Sequence, residues 1–387
     1  MNVGLMRSGV SVMRLFLAAW LVMWSGQALA GDARGLSGRD TSMAGRRVVA
    51  AGFQHSLAVD PSGDVWHWGA DTFGQMNSTP VRMQELHSVV AVTATLSQSL
   101  ALRADGSVWA WGHNYAGALG LGTTLEQPTP AQVPGLSEVV DISTGRSHSL
   151  AVRADGTVWA WGDNSFGQLG EEPGVNHYTP TQVQGLTDVV SVSAGTDFSL
   201  ALRRDGTVWA WGTNASSQLG VDSTSLSVRA TPEPIPGLTG VVSLSAGDYH
   251  ALAVRADGTV WTWGDVSLLG DTYHSFLGTT PIQVPGLSDA VEVTAGLWTN
   301  LAVRRDGTVW AWGDNSFGQL GNGTMDYQSY PVQVVGMTRV VSVVTSTMHT
   351  MAVRRDGTVW AWGDNSFGQL GDGTNESRLT PVRVQDF

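Results

Sequence analysis

Histidine recurs at one place in a repeated pattern, as His55, His148, His250 and His349. Imidazoles can bind a metal or act as general bases. These four are dozens of residues apart, and Gln98, Phe198 and Thr299 stand at the matching places between them. Copies of one position in separate repeats do not converge as a metal triad does, so structural hydrogen bonding is expected of them. The acidic loop Asp364–Gly373 has a calcium-like composition but lacks the twelve-residue ligand spacing and terminal glutamate of a calcium loop. The chain has no cysteine, no Gly-x-Ser-x-Gly, no phosphate loop and no His-Glu-x-x-His. No carboxylate pair or nucleophile stands out from the repeat. No catalytic residue, metal ligand or cofactor is therefore expected. The chemistry on offer is recognition, carried by residues that differ between copies at matched turn tips: Phe53 and Gln54, Arg146, Asp197, Asp248 and Tyr249, Leu297 and Trp298, and Met348.

The elements that position these tips follow from the phrase Trp-x-Trp-Gly. It starts at Trp66, Trp109, Trp159, Trp209, Trp261, Trp310 and Trp360, giving seven copies 43 to 52 residues apart. Each unit holds four strand-like pieces with period-two alternation and many Val, Thr and Trp residues. In the unit from Val189 to Leu238 the first three are Val189–Ala194, Ser199–Arg203 and Thr207–Trp211; the fourth follows a Thr-Pro pair. Asp-Gly steps such as Asp205-Gly206 join pieces two and three, a strong hairpin signal. Four antiparallel strands repeated seven times predict an all-β fold, a seven-bladed β-propeller. Trp159 and Trp161 share one sheet face, and Leu150 and Val152 share a face, so each sheet is expected to have a bulky and a small side that nest. Burying a tryptophan contributes roughly 4–6 kcal/mol gross.

Alternating strand direction sorts the loops onto two faces. The turns between pieces one and two lie with the long loops between pieces three and four. The Asp-Gly hairpins lie with the Pro-Gly-Leu linkers on the opposite face. That opposite face gathers Arg103, Arg153, Arg203, Arg204, Arg255, Arg304, Arg305, Arg354 and Arg355. Neighbouring aspartates offset them, and a solvated rim is expected there.

Arg7 and Arg14 precede an apolar run from Leu15 to Trp24, and Ala28-Leu29-Ala30 follows. These are the parts of a secretory signal peptide, residues 1–30, with a cut expected after Ala30. The run is too short to span a bilayer, so a secreted or periplasmic chain without membrane insertion is expected. Residues 31–45 are a polar, glycine-rich lead-in, and the repeat array occupies 46–387. Without cysteine, stability must come from packing. The formal charge is −12, or −14 once Arg7 and Arg14 are removed. An acidic chain is a poor nucleic-acid ligand, because phosphate contacts need clustered basic residues.

The phrase Ala-Gly-x-x-His-Ser-Leu-Ala-Val-x-x-Asp-Gly-Thr-Val-Trp-Ala-Trp-Gly-Asp-Asn-x-x-Gly-Gln-Leu-Gly resembles the regulator-of-chromosome-condensation repeat. Residues 340–384 match it apart from Ser346, which replaces the first glycine. The resemblance covers everything after residue 46 and implies the same seven-bladed propeller. It further implies that the chain ends complete one blade together, with Val48–Val59 pairing near Thr358–Trp362 and Pro381–Val384. Its members include a nuclear exchange factor for a small GTPase, a plant ultraviolet-B photoreceptor and a secreted bacterial propeller that inhibits β-lactamases. The export signal and acidic charge argue against exchange-factor activity, and the tryptophan motif of the photoreceptor is absent. Export and blade number are shared with the secreted bacterial type.

The expected function is a secreted or periplasmic scaffold, acting as a monomer, that binds another protein through its variable loop face. The alternatives are an enzyme acting on a glycan or peptide in the central funnel, and a purely structural surface protein.

Overall fold

The computed structural model describes residues 47–71, 73–96, 98–265 and 278–387. The expected signal peptide, its cut after Ala30 and the lead-in at 31–45 lie outside the described residues. Seven four-stranded antiparallel sheets follow one another, each made of four consecutive strands. This is the seven-bladed propeller that the repeat predicts. Blade three runs Val139–Thr144, His148–Arg153, Val158–Gly162 and His177–Gln182. The first strands of adjoining blades pack on one another all the way round, that of blade seven returning to that of blade one. First strands therefore line the centre and fourth strands form the outer rim.

Local chemistry explains each corner. In the hairpin of blade three, the Asp155 carboxylate accepts the Thr157 N–H at 3.0 Å and its hydroxyl at 2.6 Å. Five other hairpins repeat this with Asp105, Asp205, Asp257, Asp306 and Asp356. Gly162, which ends the tryptophan strand, has φ +104°, and a Cβ there would lie 2.4 Å from the Ser147 carbonyl. Only glycine accepts both the left-handed backbone and that approach.

The two tryptophans of each phrase do different work. Trp68, Trp161, Trp211, Trp263, Trp312 and Trp362 are fully buried. The preceding tryptophans are half-buried. Six of them, from Trp109 to Trp360, lie under an arginine of the same blade, with Arg103, Arg255 and Arg354 only 4.0–4.1 Å from the ring centres. The expected division into a bulky and a small face is also corrected. Ser149 pairs with Trp161 and Ala151 with Trp159, so each tryptophan face carries small residues on its neighbouring strand. Large meets small strand by strand: Trp161 and Ala151 of blade three pack into Leu100, Leu102 and Ala110 of blade two.

Adjoining blades are clasped by hydrogen bonds. The long loop of one blade lays a carbonyl over the next. Gln168 O accepts the Trp211 indole N–H and the Ser199 hydroxyl, both at 2.8 Å. Ala118, Gln218, Gln319 and Gln369 receive the indoles of Trp161, Trp263, Trp362 and Trp68 in the same way. The histidines complete the clasp. His148 Nε2 is 2.9 Å from Ser199 Oγ, whose hydrogen is already given to Gln168, so the ring is the tautomer that donates from Nε2. His55, His250 and His349 reach Ser99, Asn300 and Ser56 of the following blade. The structural role expected of these histidines is what the structure shows.

The implied pairing of the chain ends does not occur. Val49–Ala51, His55–Val59, Val65–Ala70 and Met76–Arg82 form blade one alone, and Val340–Thr345, His349–Arg354, Val359–Gly363 and Arg378–Arg383 form blade seven alone. Each terminal repeat already supplies four strands, leaving no vacancy to share. The ring closes by the same clasp used elsewhere: Trp68 and Ser56 both donate to Gln369 O at 2.8 Å. Phe387 packs edge-on against Trp66, with ring centres 6.3 Å apart.

Candidate functional site

The turns between first and second strands surround the central opening on one face. Their carbonyls and N–H groups bond from blade to blade: Phe53 N–H to Thr95 O at 3.2 Å, Thr196 N–H to Asp248 O at 3.4 Å, and Asp248 N–H to Gly296 O at 3.3 Å. A Cβ on Gly145, Gly195 or Gly247 would sit 2.4–2.7 Å from a carbonyl of the next turn. The turns are thus locked side by side, and the tip residues vary on a rigid frame. Behind six of the tips, a carbonyl is held by the residue after the Trp-x-Trp-Gly phrase, as in Asp163 N–H to Ser147 O at 2.9 Å.

The structure brings five of the sequence-predicted residues into one arc over blades three to six. Arg146, Asp197 and Asp248 form a charged group. Burial, then the neighbouring Asp163, raises the Asp197 carboxyl above its ordinary value, with a smaller push from Asp248; Arg146 opposes them. Burial also raises Asp248, against a Thr196 hydrogen bond and the charge of Arg146. Tyr249 and Trp298 stack with ring centres 5.5 Å apart and planes tilted 31°. Leu297, half-buried, sits beside Trp298 in the same turn. Phe53 and Gln54 on blade one and Met348 on blade seven lie at the same mouth; neither Phe53 nor Met348 adds to the aromatic stack.

Sequence reasoning missed two features. The long loops of blades two and three expose Tyr115 (77% exposed), Leu125, Phe166 and Val175 on this face. The departure of Asn114-Tyr115-Ala116-Gly117 from the usual Asn-Ser-Phe-Gly is the signal that marks Tyr115. The second feature is the centre of the ring. Inner-strand N–H groups are accepted by side chains of the preceding blade: Asp141 takes Ser191 Oγ at 2.8 Å and Val192 N–H at 3.0 Å, and Glu292 takes Ser342 Oγ at 2.8 Å. Arg47 crosses to blades three and four, donating to Ile142 O and, at 2.9 Å, to Val192 O. Burial pushes Glu292 up to about 7, against its hydrogen bonds and Arg47. These charges stand in a column otherwise filled by Ser, Ala and Val, which is their trace in the sequence.

The opposite face offers less than its arginine count implies. Arg103, Arg153, Arg203, Arg255, Arg304 and Arg354 cover tryptophans and donate to linker carbonyls, for example Arg153 to Ser137 O at 3.0 Å. Arg204, Arg305 and Arg355 remain exposed. The loop after the tryptophans is occupied with its own geometry. Asn365 Oδ1 accepts Leu370 N–H at 2.9 Å, and Asp364 accepts Gln369 Nε2 at 2.7 Å. Among the described residues no cluster of three or more His, Asp or Glu side chains is placed to hold a metal ion.

Several solved structures resemble this chain. Prp20p from Saccharomyces cerevisiae is 23% identical, over 84% of this chain and 86% of that one, with a TM-score of 0.73. Yeast RCC1 (Prp20), solved with Kap60, is 20% identical over 93% and 91%, with a TM-score of 0.74. Human WBSCR16 is 25% identical over 80% and 85%, with a TM-score of 0.71. A sequence search of curated proteins finds no match. The profile of the RCC1-like domain matches residues 33–346, and those of the regulator of chromosome condensation repeat match 340–369 and 356–387. With seven clasped repeats and a profile match over most of its length, the chain belongs to the RCC1-like domain family.

Proposed function

We propose that this chain is an exported, non-enzymatic scaffold that binds another protein through the mouth formed by its inner turns. The observation that carries this is the contrast between a frame repeated seven times and unlike residues at its matched tips, with Arg146, Asp197, Asp248, Tyr249 and Trp298 drawn into one arc. Repeat frames with variable tips make recognition surfaces, and aromatic residues dominate interface energetics. A similar propeller supports the same class of role: yeast Prp20 binds Gsp1p and histones and has been solved bound to Kap60. An enzyme in the central funnel is disfavoured because the polar groups there are spent on one another and on inner-strand backbone.

The test is selection of binding peptides from a random phage-displayed library on the immobilised chain, then binding measurements with Trp298→Ala and Tyr249→Ala. Loss of binding in these variants is expected. Binders that tolerate both substitutions, and compete with none of the other tip residues, would refute the site.

A further inference from the structure

Two carboxylates of the loop face are held differently from the other aspartates. On the hairpin face the Asp-Gly aspartates are satisfied inside their own turns: Asp105, Asp155, Asp205, Asp257, Asp306 and Asp356 each take a hydroxyl at 2.6–2.7 Å. Those contacts hold the carboxyls below their usual range. On the loop face, Asp163 is hydrogen-bonded within its own loop, by Ser165 at 2.8 Å and Gln168 at 2.9 Å. Asp197 is different. Half-buried beside it, its carboxylate has no hydrogen bond or ion pair among the described residues. Asp248, in the next turn, has only Thr196. Arg146 is exposed and forms no ion pair with either.

Two carboxylates from adjoining turns, held close by the Thr196 to Asp248 backbone contact at 3.4 Å, repel each other, and the exposed Arg146 answers them only from a distance, without an ion pair. The turn that carries Asp248 continues into Tyr249, whose ring is stacked on Trp298. Aromatic faces attract cations, and an aliphatic stem packs on the same rings. The glycine-locked turns cannot splay to relieve the repulsion. A positive side chain from outside answers every one of these features.

Resting on the protein-binding function above, we propose that the mouth between blades three and six receives a protruding basic loop of the partner, one arginine or lysine of which enters between Asp197 and Asp248 with its stem against Tyr249 and Trp298. The acidic charge of the whole chain, −12, steers such a partner toward it. Within this arc Arg146 is the opposing charge. It disfavours basic residues at one edge and so sets which way the loop lies.

The peptides selected above supply the experiment. Basic residues are expected to be enriched in them, and replacing the key arginine by citrulline, which keeps the shape and removes the charge, weakens binding about thirtyfold, the scale of breaking a desolvated charge pair. Asp197→Asn with Asp248→Asn causes a similar loss, while Arg146→Ala strengthens binding a few-fold. Unchanged thermal unfolding of the double variant separates charge from misfolding, and the single Asp197→Asn stands in if the double variant melts early. Neutral or acidic peptides that still require Trp298 would overturn the basic-loop proposal and leave the loop-face function standing. Peptides indifferent to Trp298, Tyr249 and both aspartates, or no enrichment at all, would overturn both.

Discussion

Acid should loosen the ring through the buried histidines, and the size of the effect follows from their environment. Burial drives His148 and His349 down to about 3 and His55 to about 4, and lowers His250 as well. In the unfolded chain each titrates near 6.5. A histidine lowered in the folded state leaves the folded form neutral while the unfolded form takes up protons. Stability is therefore full above about pH 6.5 and falls as the pH drops toward the folded value. The cost grows by about 1.4 kcal/mol per pH unit per histidine within that window. Between pH 7 and pH 5 each of the three with the largest shifts loses about 2 kcal/mol. That sum hardly depends on whether the folded value is 3 or 4, since both lie below the window. The atomic reason is visible at His148: Nε2 donates to Ser199, and Nδ1 is buried without a partner, so a second proton would create an orphan N–H on a buried cation. The informative variant is His148→Gln, because Gln98 already fills this position in blade two and reaches Gly145 O at 3.0 Å. Urea unfolding followed by far-ultraviolet circular dichroism at pH 7 and pH 5 gives the comparison. The variant should be less stable than the parent at pH 7 and recover about 2 kcal/mol of that deficit at pH 5. An equal deficit at both pH values would refute the assignment.

Three further outcomes are expected. Trp68→Phe and Trp211→Phe each orphan part of a buried carbonyl, at Gln369 and Gln168, and should cost similar amounts, about 1–3 kcal/mol by chemical denaturation; a much cheaper Trp68→Phe would mean that the ring is not closed as tightly there. Arg47→Met keeps the apolar stem but strips the donors from Ile142 O and Val192 O, and should lower stability by about 1–3 kcal/mol in the same assay. Arg339→Gly should stabilise by about 0.5–1 kcal/mol, because Arg339 has φ +59° where blade five has Gly240 and a left-handed backbone strains a side chain more than glycine's entropy costs; an unchanged melting temperature would contradict it.

The architecture was legible because a Trp-x-Trp-Gly every 50 residues or so cannot be satisfied by anything but stacked equivalent sheets. The grouping of Tyr249 with Trp298 was legible for the same reason, since equal positions in adjoining repeats must be neighbours in a ring. The roles of the arginines were not read, although register contains them: Ala151 opposite Trp159 puts Arg153, two residues on, diagonally beside that indole. Arg47 is another matter. It meets Ile142 and Val192 across 95 and 145 residues, a convergence made only by closing the circle, and no local pattern announces it. The analogy for the chain ends failed because the first and last repeats of this chain each supply all four strands of their own blade.

A ring whose terminal blades share no strand has a seam but no lock. Blades one and seven meet through the Trp68 and Ser56 contacts to Gln369, the His349–Ser56 bond and the Phe387 ring, fittings of the kind that join blades three and four. Phe387 takes the place that Leu136 and Leu186 hold in the linkers. The order in which the blades are threaded is thus immaterial to the finished circle. A permuted chain, cut in the exposed Pro236-Gly237 linker and joined from Phe387 to Arg47 through three residues, the spacing of Met337 to Val341 in an intact linker, keeps the clasps described above, and its seam moves to a new pair of blades.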